Sequence, residues 1–190
     1  VPLYERLRHE MLTNDILHAD ETTMQVLKEP GRKPTSNSYM WLYRTGRSDR
    51  PVVLFEYQQT REAAHPKAFL SGYQGYLQVD GYAAYHGLPK EIRIVGCFAH
   101  ARRKFDEALK VMAEKDRPGS KAERGLKYCN ALFAVEHDIQ DLSDQERARI
   151  RTERSEPILE EFHEWLQQIE PQMLPKSKMG KAIHYALDQW

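Results

Sequence analysis

Apolar and polar positions along this chain change their period part-way. Leu3, Leu7 and Met11 recur at helical spacing and predict a helix over residues 3–12. The run Ile16-Leu17-His18-Ala19-Asp20-Glu21-Thr22 then reads as a short apolar strand carrying a carboxylate to its edge. Glu29-Pro30-Gly31-Arg32-Lys33-Pro34 is dense in turn formers and predicts an exposed hairpin loop. Tyr39, Trp41 and Tyr43 alternate through a strand at 38–45, and 52–57 is a nearly continuous apolar run, with a turn at 46–51 between them.

Residues 61–70 predict a short helix with Pro66 inside it, and 76–79 a fourth strand whose sequence, Tyr76-Leu77-Gln78-Val79-Asp80-Gly81-Tyr82, again delivers an aspartate to its end. A turn at 82–86 and a fifth strand at 92–96 follow. Three strands suited to an antiparallel meander, then helix, strand, short helix and strand, is the order of an α/β, RNase H-like mixed sheet. In that fold the first and fourth strands lie side by side, which brings Asp20 next to Asp80.

From Cys97 onward the period is helical. Phe98, Ala101, Phe105, Ala108, Leu109 and Met112 share one face, with Arg102, Arg103 and Lys104 mainly on the other. Arg117-Pro118-Gly119 breaks that helix, and Leu126, Cys129, Leu132, Phe133 and Val135 mark the next. Ser143 with Glu146 has the form of a capping box, and an apolar stripe from Ile158 through Phe162, Trp165 and Leu166 to Ile169 runs up to Pro171. No strand is predicted after residue 96. The expected organisation is an α/β core over 1–110 and a helical region over 111–190.

Composition changes the picture only modestly. A chain of 190 residues is long enough to bury a core, and its formal net charge is zero, so bulk charge does not announce a nucleic-acid partner. The distribution is less even: residues 1–110 carry a net of +3 and residues 111–190 a net of −3, which favours the first part as the surface for an anionic ligand. Two cysteines are too few for a disulfide framework or a four-cysteine zinc site, and no run resembles a signal peptide or a membrane span. A reducing, cytoplasmic compartment is expected. The sequence stops at Trp190 within a helical pattern and reads as a piece of a longer protein.

The two aspartates carry the chemistry. Two unit negative charges about 4 Å apart repel by roughly 4 kcal/mol at an effective dielectric near 20. Either one carboxylate keeps its proton, as in an acid/base pair, or a divalent cation sits between them. Hard cations such as Mg2+ take a few carboxylate oxygens together with water and substrate phosphate, so the pair is a partial site. A carboxylate-pair glycoside hydrolase is the alternative enzyme. A helical module over 119–190, built on Phe162, Trp165 and Trp190 and holding DNA or a second protomer, is the alternative without catalysis.

Three stretches together resemble the catalytic core of bacterial insertion-sequence transposases of the sixty-six family. They are His18-Ala19-Asp20-Glu21-Thr22, the run from Gly72-Tyr73-Gln74-Gly75 through Asp80-Gly81-Tyr82, and Gly96-Cys97-Phe98-Ala99-His100-Ala101-Arg102-Arg103-Lys104-Phe105. The likeness is strong over 14–115, and later residues such as Gly180-Lys181-Ala182 resemble the family's helical insertion more loosely. The resemblance implies a DDE transposase, in which an RNase H-like core uses two Mg2+ or Mn2+ ions to hydrolyse a DNA strand and join its 3′ end to target DNA. It implies that Asp20 and Asp80 are the first two catalytic, metal-holding acids. It implies as partners the transposon ends, target DNA and a homo-oligomer of the full protein. The family's third acid is a glutamate beyond the insertion, after an Asp-Asn-Asn stretch that this sequence lacks, and Glu107, Glu114 and Glu164 are not promoted to that role.

Remaining residues divide between function and packing. Glu21 neighbours Asp20, and strand neighbours face opposite ways, which gives it a supporting rather than a ligating role. Cys97 and His100 have the spacing of a metal pair, but no second pair completes four ligands; the resemblance implies that this signature recurs in related transposases, where His100 supports the site or touches DNA. Arg102, Arg103 and Lys104 are candidates for DNA phosphates, as are Arg32 and Lys33 at the loop tip, with a solvated surface as the alternative. Tyr73, Tyr76, Tyr82 and Tyr85 could stack on bases, though three of the four are expected to pack the core around the fourth strand.

Overall fold

The computed structural model describes residues 2–190, which divide between Cys97 and Phe98 into two compact units. The first unit comprises α1 (Pro2–Leu12), β1 (Ile16–Gln25), β2 (Asn37–Thr45), β3 (Val53–Gln58), α2 (Ala64–Phe69), β4 (Gly75–Val79), a 3-10 turn at Ala83–Gly87 and β5 (Ile92–Gly96). The sheet order is β3-β2-β1-β4-β5. β1 pairs antiparallel with β2, as does β2 with β3, while β4 runs parallel to both β1 and β5. This is the α/β mixed sheet expected from the sequence, with β1 beside β4.

Alternation of side chains sorts this sheet into two faces. Leu17 and Ala19 of β1 are buried with Trp41, Tyr43, Leu54, Leu77, Val79 and Ile92 of the other strands. Met11 of α1 and Phe69 and Leu70 at the end of α2 join the same core. Each Leu, Ile, Val, Met or Phe among them contributes roughly 1.5–3 kcal/mol on burial. The opposite face carries Asp20 and is less covered, with Ile16, Val53, Phe55 and Tyr76 all exposed.

α2 begins at Ala64, three residues later than the apolar pattern predicts. The cause is Pro66, which has no N–H and is tolerated only in the first turn of a helix. At the other end of α2, the Arg8 Nε of α1 donates to the Phe69 carbonyl at 2.9 Å, satisfying a group that a helix terminus leaves open.

The second unit is helical: α3 (Phe98–Lys110), α4 (Lys121–Asp138), α5 (Asp144–Ile150), α6 (Glu156–Ile169) and α7 (Lys178–Asp188). α3 packs on α4 and α7. Phe105, Tyr128, Phe162, Trp165, Leu166 and Ile183 are buried together, with Tyr128 stacked on Phe162 at 4.9 Å between ring centroids. Ser120, Ser143 and Ser177 cap α4, α5 and α7, and Ser143 with Glu146 forms the capping box that the sequence predicts. Between α5 and α6 lies one π turn, Arg151–Ser155, ahead of Pro157. A proline ring clashes with the carbonyl four residues back in a regular helix, and the wider turn accommodates it.

Candidate functional site

β1 and β4 align their aspartates by register. Ile16 lies opposite Tyr76, Leu17 opposite Leu77 and His18 opposite Gln78, a constant offset of 60 that brings Asp20 level with Asp80. A carboxylate oxygen of Asp20 and one of Asp80 lie within 4.8 Å of each other. Each aspartate steadies its Oδ1 on a backbone N–H, Asp20 on that of Glu21 and Asp80 on that of Tyr82, both at 2.9 Å. Gly81, at φ 81°, supplies the left-handed step that folds the chain back for the second of these bonds. Two hard oxygen donors so fixed fit a small divalent cation.

Glu21 points the other way, into the core face, and its side chain is fully buried. Arg61, in the loop after β3, donates from Nε to Glu21 Oε1 at 2.8 Å and from Nη2 to the same oxygen. The Tyr85 hydroxyl donates to Oε2 at 2.7 Å. The Arg61 guanidinium lies 3.5 Å from the centre of the Tyr82 ring, and the Tyr82 hydroxyl donates to the Arg61 carbonyl at 2.9 Å. Burial pushes the Glu21 carboxyl above the usual carboxylate range; the bonds from Tyr85 and Arg61 oppose this, and the charge of Asp80 adds to it. Burial acts to lower the Arg61 value, but the hydrogen bond and charge of Glu21 outweigh it and hold the guanidinium above its ordinary range. Burial and the Glu21 charge likewise push the Tyr85 hydroxyl up.

The model of the Transposase IS66 family matches residues 1–190, the whole length. The chain belongs to the transposase IS66 family. Among curated proteins, this IS66-family chain is similar to three from Sinorhizobium fredii (strain NBRC 101917 / NGR234). It is 29% identical to Uncharacterized protein y4hP over 100% of its own length and 37% of that protein. It is 29% identical to Uncharacterized protein y4jD over 100% and 38%, and 32% identical to Uncharacterized protein y4qI over 89% and 33%. The chain thus spans about a third of the length of these relatives. Among solved structures it is similar to the simian T-cell lymphotropic virus intasome in complex with PP2A regulatory subunit B56 gamma. That match has 15% identity and a TM-score of 0.34, and covers 67% of this chain and 50% of that one.

The basic residues singled out in this IS66-family sequence have varied surroundings. Arg32 is held within the hairpin loop: its Nη1 donates to Ser38 Oγ at 2.7 Å, to the Gln59 carbonyl at 2.8 Å and to Glu29 Oε2 at 3.1 Å. Glu29 is itself buried, and Tyr57 and Ser38 donate to it. The loop is therefore less exposed than its turn formers imply, because an internal ion pair ties it to β2 and β3. Lys33 beside it is exposed. On α3, Arg102 Nε donates to Asn130 of α4 at 2.6 Å, Lys104 lies 4.7 Å from the centre of the Tyr185 ring, and Arg103 is exposed. His100 is half-buried on the first turn of α3.

Of the four tyrosines, Tyr73 and Tyr85 are buried, Tyr82 packs partly against the core and Tyr76 is exposed. Arg61 is the residue that the sequence reading passes over. A buried acid needs a cation partner, and that requirement is the signal that points to a nearby arginine.

Proposed function

We propose that this chain is the part of a DNA transposase that carries two of the acids for metal-dependent strand cleavage and strand transfer. Asp20 and Asp80 hold Mg2+ or Mn2+, and the single observation that carries the reading is their alignment on adjacent parallel strands within 4.8 Å. Family membership favours phosphoryl transfer on DNA over a carboxylate-pair glycosidase. Bound divalent ions supply, at a phosphodiester, activation of the attacking oxygen and stabilisation of the leaving one.

Asp20, from the central strand β1, and Asp80, just past the end of β4, would hold the ions. Glu21 does not complete the set, since both of its oxygens are occupied by Arg61 and Tyr85. The third acid is a glutamate outside these residues, as the family resemblance implies. Exposed Lys33 and Arg103 contribute salt-sensitive contacts to DNA phosphates.

The test compares residues 1–190 with a longer protein that contains them, on DNA carrying the element's ends. Metal-dependent nicking by the longer protein, lost in both Asp20→Asn and Asp80→Asn and weak or absent in the shorter chain, is the expected result. Nicking that survives either substitution overturns the assignment. Robust nicking by residues 1–190 alone overturns the need for a third acid elsewhere.

A further inference from the structure

Asp20 and Asp80 stand where the backbone ladder between their strands has run out. The paired residues of β1 and β4 end at His18 and Gln78, and β4 itself ends at Val79. Two like charges within 4.8 Å drive each other apart, and a metal site needs their spacing fixed before the ion arrives. Beyond the ladder, side chains hold that spacing.

Glu21 is the covalent neighbour of Asp20, and Tyr82 donates its N–H to Asp80 Oδ1. Arg61 joins these two residues: its Nε and Nη2 edge grips Glu21 while its flat face rests on the Tyr82 ring. Tyr85 takes the other Glu21 oxygen and meets Tyr82 edge-on at 6.4 Å, so neither the carboxylate nor the ring turns freely. We propose that Glu21, Arg61 and Tyr82 form a bracket that sets the separation of the Asp20 and Asp80 carboxylates for a divalent cation. They are positioning residues, and the inference rests on the metal reading of the site given above. The geometry demands arginine: a planar fork to grip an oxygen and a flat cation to cover a ring, which a lysine ammonium cannot both supply.

Two measurements on the whole chain test this: Mn2+ affinity by electron paramagnetic resonance, and the exchange rate of the Tyr82 amide by NMR. Wild type is expected to bind Mn2+ and Asp80→Asn to lose it. Arg61→Met is expected to weaken Mn2+ binding about 10–100-fold, the usual cost of losing a partner behind a metal ligand. It is also expected to speed Tyr82 amide exchange while amides of the β1/β2 ladder stay protected. Arg61→Lys is expected to fall between Arg61→Met and wild type. Should Arg61→Met fail to fold, Arg61→Lys and Tyr82→Leu give the same two readings. Wild-type Mn2+ affinity in Arg61→Met, or unchanged Tyr82 exchange, overturns the bracket and leaves the metal reading standing. Absence of Mn2+ binding in wild type, or binding that survives Asp80→Asn, overturns the metal reading and the bracket's role with it.

Discussion

Gly125 of α4 lies directly under the ring of Phe105 of α3. A Cβ at that position would sit 2.9 Å from Phe105 Cγ and closer still to two other ring carbons. Phe105 cannot give way easily, since it is fully buried against Phe162 and Trp165. Overpacking of this kind costs typically 1–3 kcal/mol, of which better helix propensity returns about 1 kcal/mol. Gly125→Ala is therefore expected to destabilise the helical unit by up to about 2 kcal/mol in chemical denaturation. Adding Phe105→Leu should make the glycine substitution less costly than it is alone. Additive effects in that cycle would sink the close-approach account.

Glu29 makes the hairpin loop sensitive to acid. The hydrogen bond from Tyr57, followed by those from Ser38 and Gln59 and the charge of Arg32, holds its carboxyl below the ordinary value of 4.5. A depressed carboxyl stabilises the fold above its unfolded pKa and loses that contribution as pH falls through the folded value. Melting temperature should therefore drop as pH falls below about 4.5, and Glu29→Gln should be less stable near neutrality with a flatter acid limb. An acid limb of unchanged slope in Glu29→Gln would contradict this. Arg32→Ala should lower stability in the same way, whereas Lys33→Ala should not. Loss of DNA binding in Arg32→Ala thus needs a stability control before it is read as a lost phosphate contact.

Without a cation the acid pair is a source of strain. Within 4.8 Å and at an effective dielectric near 20, two carboxylates repel by at least about 3.5 kcal/mol, which screening at an exposed site lowers toward the order of 1 kcal/mol. Asp80→Asn is expected to raise the melting temperature in chelator and to abolish the rise that Mg2+ or Mn2+ gives wild type. Binding at 100 times Kd stabilises by about 2.7 kcal/mol, so the wild-type shift is within reach of calorimetry. Equal metal-induced shifts in wild type and Asp80→Asn would contradict the assignment.

Much of the first unit is legible because its signals are local. Alternation through Tyr39, Trp41 and Tyr43 gives β2 its buried face, and the matching runs that end in Asp20 and Asp80 give the pairing of β1 with β4. The grip of Arg61 on Glu21 spans 40 residues, and no period marks a loop arginine as the partner of a strand acid. The buried Glu29 and Arg32 pair is hidden for a related reason: turn formers predict a bend and say nothing of which side chains fold beneath it. The π turn before Pro157 escapes because Arg151–Ser155 is polar throughout and carries no apolar period to mark a change of helix.

β1 is clamped on both edges, nine residues of it against β2 and three against β4. A slip of a single residue would exchange Asp20 and Glu21, sending a glutamate to the face beside Asp80 and an aspartate into the grip of Arg61. Both positions would still hold an acid, so side-chain chemistry alone would discriminate poorly against the error. The same slip would turn Leu17 and Ala19 out of the core, and the loss of apolar burial is what forbids it. Fidelity of the acidic site is thus enforced from the far side of the sheet, by residues that never meet a substrate.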